Sequence, residues 1–179
     1  MCGIIGYSGR FEPEALAAGL AAIRHRGPDD SGTFFDHREA IGLGHARLSV
    51  IDLSPLGHQP MAAIDGAVQV VFNGEIYNFR ELRGELERKG HSFRGHSDTE
   101  VLLHLYLEEG AAFLERLNGV FGLAIFDRRD QTLLVARDAL GVKPLYIAST
   151  PRGFAFASEI KGLVALVPES RELDIPSLH

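Results

Sequence analysis

AVQVVFNGEIYNF, residues 67–79, admits two readings. Residues 67–72 are rich in valine, whose β-branched side chain suits a pleated surface, and are expected to form a strand. Asn73-Gly74 follows at once, and Asn-Gly after such a strand is the strongest short signal for a hairpin. Taken alone, the dipeptide favours that turn. What comes next, however, is Glu75-Ile76-Tyr77-Asn78 and then helical spacing over 79–89. Asn78 stands at the cap, Glu81 lies at capping-box spacing, Phe79, Leu82 and Leu86 make one apolar stripe, and Gly90 stops the helix. The stretch therefore reads as a strand that gives way to a capped helix, with Asn73-Gly74 at the strand end.

Both flanks support a mixed architecture. Toward the N-terminus, residues 1–7 read as a short buried strand and 13–23 as a helix with proline near its first turn. RHRGPDDSG, 24–32, packs charges, Gly and Pro into a loop, and 33–35 and 40–49 read as strands around the polar stretch 36–39. Toward the C-terminus, Ser97 and Glu100 make a Ser-x-x-Glu box before the apolar run 101–107, Gly110 closes that helix, and 113–117 forms a shorter helical piece. Residues 120–126, 132–137, 144–148 and 153–157 read as strands joined by polar turns, an antiparallel meander. Strands and helices that come in groups argue for an α+β fold with helices layered on sheet, not a doubly wound parallel one.

The chain has 179 residues, the size of one domain, 45% of them apolar and 23% charged, with a formal charge of −6. A chain of this length buries roughly 70% of its unfolded surface, so one sizeable core is expected. Lys and Arg are scattered, which speaks against nucleic acid or an anionic membrane as partner. The apolar run 15–23 falls short of the roughly 18 residues of a spanning helix, and no basic-then-apolar leader is seen. One cysteine cannot form an internal disulfide, and a cytoplasmic, reducing setting is expected.

The position of that cysteine matters most. A lone cysteine is more often a small buried hydrophobe than a nucleophile. In Met-Cys-Gly-Ile-Ile-Gly, however, residue 2 is small enough for the initiator Met to be trimmed, which would leave Cys2 with both a thiol and a free α-amine. An α-amine titrates near pH 7.7–8, so a useful fraction is neutral at cellular pH and can take the thiol proton. The Asn73 side-chain amide and the Gly74 backbone N–H are neutral donors of the kind an oxyanion hole needs.

Arg47 is open to two readings, an inter-loop ion pair or a planar fork for a carboxylate. Asp98 fits the first turn of a capped helix, and Glu75 a solvated surface, yet a site for a free amino acid needs one cation and one or two anions. Arg47, Glu75 and Asp98 supply that set. The eight histidines show no metal spacing, and neither a phosphate-binding loop nor a dinucleotide fingerprint is present, so no metal or nucleotide is expected in this domain.

Taken in order, MCGIIGY, RHRGPDDSG, GHARLSVIDLS, FNGEIYNFRELR, HSDTEVLLHLY and RDALGVKPLY resemble the amino-terminal domain of glutamine-dependent asparagine synthetases. Those are class II glutamine amidotransferases with the N-terminal-nucleophile hydrolase fold. The resemblance implies a four-layer sandwich of two antiparallel sheets flanked by helices, over residues 1–165, with 166–179 a linker toward a synthetase domain that the chain lacks. It implies that Cys2 attacks the side-chain amide of glutamine while Asn73 and Gly74 hold the oxyanion. Arg47 would bind the substrate carboxylate, Glu75 and Asp98 its ammonium, and the backbone around Leu48 and Val50 would line the pocket. ATP and Mg belong, on this resemblance, to the synthetase domain, which acts in cis or in trans and leaves a homodimer open. Ala139 and Ile147 stand where the family usually has bulkier residues. Three alternatives stay open: the glutaminase module of another amidotransferase, a Cys-His hydrolase with His45 or another histidine as base, and a non-catalytic glutamine-binding module.

Overall fold

The computed structural model describes residues 1–171. In chain order its elements are β1 (Gly3–Gly9), α1 (Pro13–Ala22), β2 (Asp30–Asp36), β3 (Ile41–Arg47), β4 (Met61–Ala62) and β5 (Val68–Ile76). Then come α2 (Phe79–Arg88), α3 (Asp98–Glu109), β6 (Gly119–Asp127), β7 (Thr132–Arg137), β8 (Tyr146–Thr150), β9 (Gly153–Ala157) and α4 (Ile160–Leu166). One antiparallel sheet has the order β2-β3-β1-β9-β8, the other β4-β5-β6-β7.

Period-2 alternation sorts the apolar side chains of these strands into layers. Ile4, Leu43 and Phe156 from the first sheet meet Val71, Ala124 and Phe126 from the second, which fills the space between the sheets. Their neighbours point the other way: Ile5, Tyr7, Ala155 and Ala157 pack on Leu16, Leu163 and Leu166 of α1 and α4. On the second sheet Val70, Phe72, Leu123 and Ile125 pack on Leu82, Leu86, Val101 and Leu105 of α2 and α3. The result is the expected helix–sheet–sheet–helix sandwich, each fully buried Leu, Ile or Phe contributing about 1.5–3 kcal/mol.

Several local expectations need correction. β5 does not stop at Phe72 but stays paired to β6 through Asn73↔Gly122, Gly74↔Phe121 and on to Ile76↔Gly119. Asn73-Gly74 is thus interior to a strand. The four strands after Gly119 do not form one meander: β6 and β7 complete the second sheet, and β8 and β9 cross to the first. Asn78 makes no capping bond; its side chain donates to the Arg116 carbonyl (3.0 Å) and accepts from the Asn118 N–H (3.0 Å), joining the start of α2 to the approach to β6. Ser97 does cap α3, accepting from the Glu100 N–H at 3.2 Å. Glu100 accepts instead from the N–H groups of Arg94 and Gly95, so the box is half made. α4 was not foreseen, although it covers one face of the first sheet. In the segment expected as a linker, 166–179, Leu166 and Val167 are buried and Pro168–Arg171 is a short 3-10 turn; its remaining residues, 172–179, lie outside the described ones.

At one end of the sandwich the start of β1 lies beside the end of β3, Gly3 opposite Ala46, and the second half of β5 faces them across the inter-sheet layer. This end carries the site.

Candidate active site

The same alternation aims the polar residues. Two residues on from Leu43, and two more, His45 and Arg47 share its inward face; two on from Val71 stands Asn73; two before Ile4 stands Cys2. Four polar side chains from three strands therefore continue the inter-sheet layer where the apolar ones end. A cleft of about 200 Å³ opens there, small beside the roughly 300–1,000 Å³ of drug-sized pockets. Its lining includes Cys2, Arg47, Leu48, Val50, Asn73, Gly74, Glu75 and Asp98. Every site residue expected from the sequence lines this one cleft.

Cys2 is half-buried, and its Sγ donates to the Leu48 carbonyl at 3.5 Å and accepts from the Leu48 N–H at 3.4 Å. Burial pushes the thiol pKa up; the Leu48 N–H, the terminal amine and Arg47 pull it down, and Asp98 pushes it up. The net rise keeps sulfur protonated, so a nearby base is required for it to attack. Arg26 Nε donates to the Cys2 carbonyl at 2.9 Å while its Nη1 pairs with Glu159 at 2.8 Å, which anchors the N-terminal segment to the residue preceding α4. Met1 is exposed at the cleft mouth, beside Lys143.

Asn73 is 2% exposed, and its Nδ2 is a buried donor with no partner among the described residues. A buried N–H left unpaired costs about 1–3 kcal/mol, which marks this group for a ligand. Gly74 is needed as glycine, since a Cβ would lie 2.3 Å from the Val120 carbonyl oxygen of the adjoining strand.

Arg47 is buried and does two jobs. Its Nη1 donates to the Ser54 carbonyl at 3.1 Å and its Nη2 to the Asp52 carbonyl, so it holds the 48–54 loop against the cleft. The loop is held from its other side by Asp52, whose carboxylate accepts from the Ser54 and His96 N–H groups. The Arg47 guanidinium also lies 4.0 Å from the Asp30 carboxylate, and the residue lines the cavity. Asp98 accepts from the Ile76 N–H at 3.2 Å; burial pushes its carboxyl up to about 6, against the pull of backbone N–H groups and with a further push from Glu75. Glu75 itself is exposed at the rim.

His45 is not a partner for the thiol. It is fully buried, its Nε2 bonds the Phe72 carbonyl at 3.1 Å, and burial depresses its pKa to about 4. Among the described residues no histidine lines the cleft, and no group of three or more His, Cys, Asp or Glu side chains is placed to hold a metal ion. Sequence reasoning missed Arg26, Asp52, Gln59 and Thr99. Arg26, Gln59 and Thr99 act through partners thirteen or more residues away, for which no local spacing signal exists; Asp52 alone had one, its Asx-type bond to the Ser54 N–H two residues on.

Residues 1–179 match a family model described as a glutamine amidotransferase domain. The chain is 40% identical to asparagine synthetase [glutamine-hydrolyzing] 3 of Bacillus subtilis over 172 residues, 92% of this chain and 28% of that protein. It is also 40% identical to amidase chry2 of Gibberella zeae, over 87% of this chain and 23% of that one. The chain thus spans about a quarter of the length of these curated relatives. Its fold is similar to that of glutamine phosphoribosylpyrophosphate amidotransferase from B. subtilis, with a TM-score of 0.79 at 25% identity, covering 92% of this chain and 43% of that one. With the match running along the whole sequence and the cysteine at the head of the sandwich, the chain belongs to the glutamine amidotransferase domain family.

Proposed function

We propose that this domain hydrolyses the side-chain amide of glutamine to glutamate and ammonia through a thioester on Cys2. The observation that carries this reading is the unpartnered, buried Nδ2 of Asn73, in the same cleft as the Cys2 thiol, Arg47 and Asp98. Once Met1 is removed, the α-amine belongs to Cys2 and takes the proton from its sulfur. Sulfur then attacks the carboxamide carbon; Asn73 Nδ2 and the Gly74 N–H stabilise the oxyanion. Collapse of the adduct breaks the C–N bond, and the protonated amine returns its proton to the departing ammonia. Water next attacks the thioester carbon, the C–S bond breaks, and glutamate leaves with the thiol restored. Arg47 binds the substrate α-carboxylate, Glu75 and Asp98 its ammonium, and the backbone around Leu48 and Val50 lines the pocket.

The relatives' names support ammonia delivery to an asparagine synthetase domain, covalently joined or separate. On this reading ATP and Mg belong to that synthetase domain, and the hydrolytic unit extends through α4 to Val167, since Leu166 and Val167 are buried in the first sheet's helix layer. A reducing compartment such as the cytoplasm suits a single thiol that must stay reduced. No helix among the described residues is long and apolar enough to cross a membrane.

Intact mass spectrometry with a diazoketone analogue of glutamine tests the reading. The expected result is a chain lighter by Met1 that takes one adduct, on Cys2, and none after Cys2→Ala. An active protein that retains Met1, or labelling that survives Cys2→Ala, overturns it.

A further inference from the structure

β4 begins only at Met61, opposite Val70, with Pro60 before it; proline has no N–H to extend the ladder. Among the described residues the edge of β5 beyond Val70 is therefore without a neighbouring strand. Alternate peptides of a strand face the same edge, so the N–H groups of Phe72, Gly74 and Ile76 form one row. That row faces away from β6: Tyr77, the next residue and of the other parity, donates toward the β6 side, to the Asn118 carbonyl at 2.7 Å, and Phe121, opposite Gly74, turns its own N–H outward to Asp138 at 3.1 Å.

Two members of the row are taken by side chains. Phe72 N–H donates to Gln59 Oε1 at 2.7 Å, and Ile76 N–H to Asp98 Oδ2 at 3.2 Å. The Gly74 N–H lies between them, in a residue that lines the cleft. Gln59 is 5% exposed, and its other end donates to Thr99 Oγ1 at 3.2 Å, one residue after Asp98. The Phe72 peptide, immediately before Asn73, is gripped twice, since its carbonyl accepts from His45.

We propose that Gln59 is a positioning residue for the reaction. Together with the direct Ile76–Asp98 bond, this one buried amide fixes the distance between the oxyanion donors on β5, Asn73 and Gly74, and the ammonium acceptor on α3, Asp98, so that a single glutamine engages both. This rests on the glutamine-hydrolysing reading above. A glutamine placed between two elements that are distant in sequence, with both of its ends used, is a spacer whose length fixes the gap. Displacement of reacting groups by about 1 Å costs on the order of a hundredfold in rate.

Gln59→Leu keeps the bulk and removes both bonds; Thr99→Val cuts the α3 end alone, and Thr99→Ser retains the hydroxyl. The readout is kcat and KM for ammonia release, expressed per site titrated with the diazoketone analogue, which separates turnover from the fraction folded. Gln59→Leu is expected to lower kcat per titrated site by about ten- to a hundredfold and to raise KM. Thr99→Val should show a smaller loss in the same direction, and Thr99→Ser should recover it. An unchanged kcat per titrated site in Gln59→Leu, or a fall only in the number of titratable sites, overturns the proposal. Should Gln59→Leu not fold, equal kcat per site in the Val and Ser variants of Thr99 overturns it. If the unsubstituted protein neither labels nor releases ammonia, the glutamine reading and this one fall together; if it does both and the variants match it, this one falls alone.

Discussion

Asn73 hides an amide nitrogen from water without giving it a partner, an arrangement that costs the resting protein and favours whatever later brings an acceptor. Asn73→Ala is therefore expected to lower kcat about a hundred- to a thousandfold, roughly 3–4 kcal/mol. The melting temperature should not fall by the amount a lost hydrogen bond would bring, and steady-state assays with thermal melts check both. Gly57 offers a separate lever on Arg47, because a Cβ there would sit 2.1 Å from Arg47 Nη2. That nitrogen is buried and bonded to the Asp52 carbonyl, so Gly57→Ala displaces the guanidinium from the loop it holds and is expected to raise KM for glutamine severalfold with some loss of melting temperature; a KM equal to that of the unsubstituted protein would retire the carboxylate role of Arg47. Asp98 titrates in a useful range. Its carboxyl, raised to about 6 by burial, must be ionised to bind an ammonium, so KM should rise as pH falls through about 6. That limb should vanish in Asp98→Asn, which a pH series of kcat/KM would show. At this scale the identity of the reactive residues was legible, because a thiol at position 2, a cation and two carboxylates are chemical types. Gln59 was not legible, since an amide becomes a spacer only when its two partners are known.

Elements meet the site through a few anchors, of which the Glu159 cluster is the plainest. Glu159, just before α4, takes Arg26, His25 and Lys161; burial raises its carboxyl, and these partners outweigh it and hold it down at about 2. Its folded pKa lies below its ordinary value near 4.5, so the stability it contributes is present above that value and is lost as pH falls through about 2. Glu159→Gln should lower the melting temperature at neutral pH, and the difference from the unsubstituted protein should shrink from about pH 4.5 downward. A difference that is constant with pH would deny the ion pairs any part. The helices over 79–88 and 98–109 were readable because caps and stripes are set by residues three or four apart. The end of β5 was misread, because strand pairing with β6, some fifty residues on, overrides a two-residue turn preference. Asn78 shows the same competition, having a better use for its amide in a distant segment than in its own helix.

For the molecule as a whole, the layer between the sheets both holds the sandwich together and points the reactive groups. Leu43 belongs to that layer and lies on the face that carries Arg47 four residues later. Leu43→Ala should cost about 2–5 kcal/mol, read as a lower urea midpoint at unchanged slope. A cost below about 1 kcal/mol would mean that the layer collapses freely around a void. The α+β class was legible from grouped strands and helices, whereas the division of the last four strands between two sheets was not.

From its sequence alone, this protein's strand and helix periodicities, the cap of α3 and the chemical kinds gathered around Cys2 were already determined, since each depends on a residue's own type or on neighbours within four positions. Only the tertiary structure decided that β8 and β9 cross to the first sheet, that His45 is withdrawn from the thiol, and that Asp98 is buried enough to titrate near 6. Pairing register, desolvation and hydrogen bonds between Leu48 and Cys2 or between Gln59 and Thr99 join residues forty or more positions apart, and such contacts exist only once strands distant in sequence have paired and the helices have packed on their sheets.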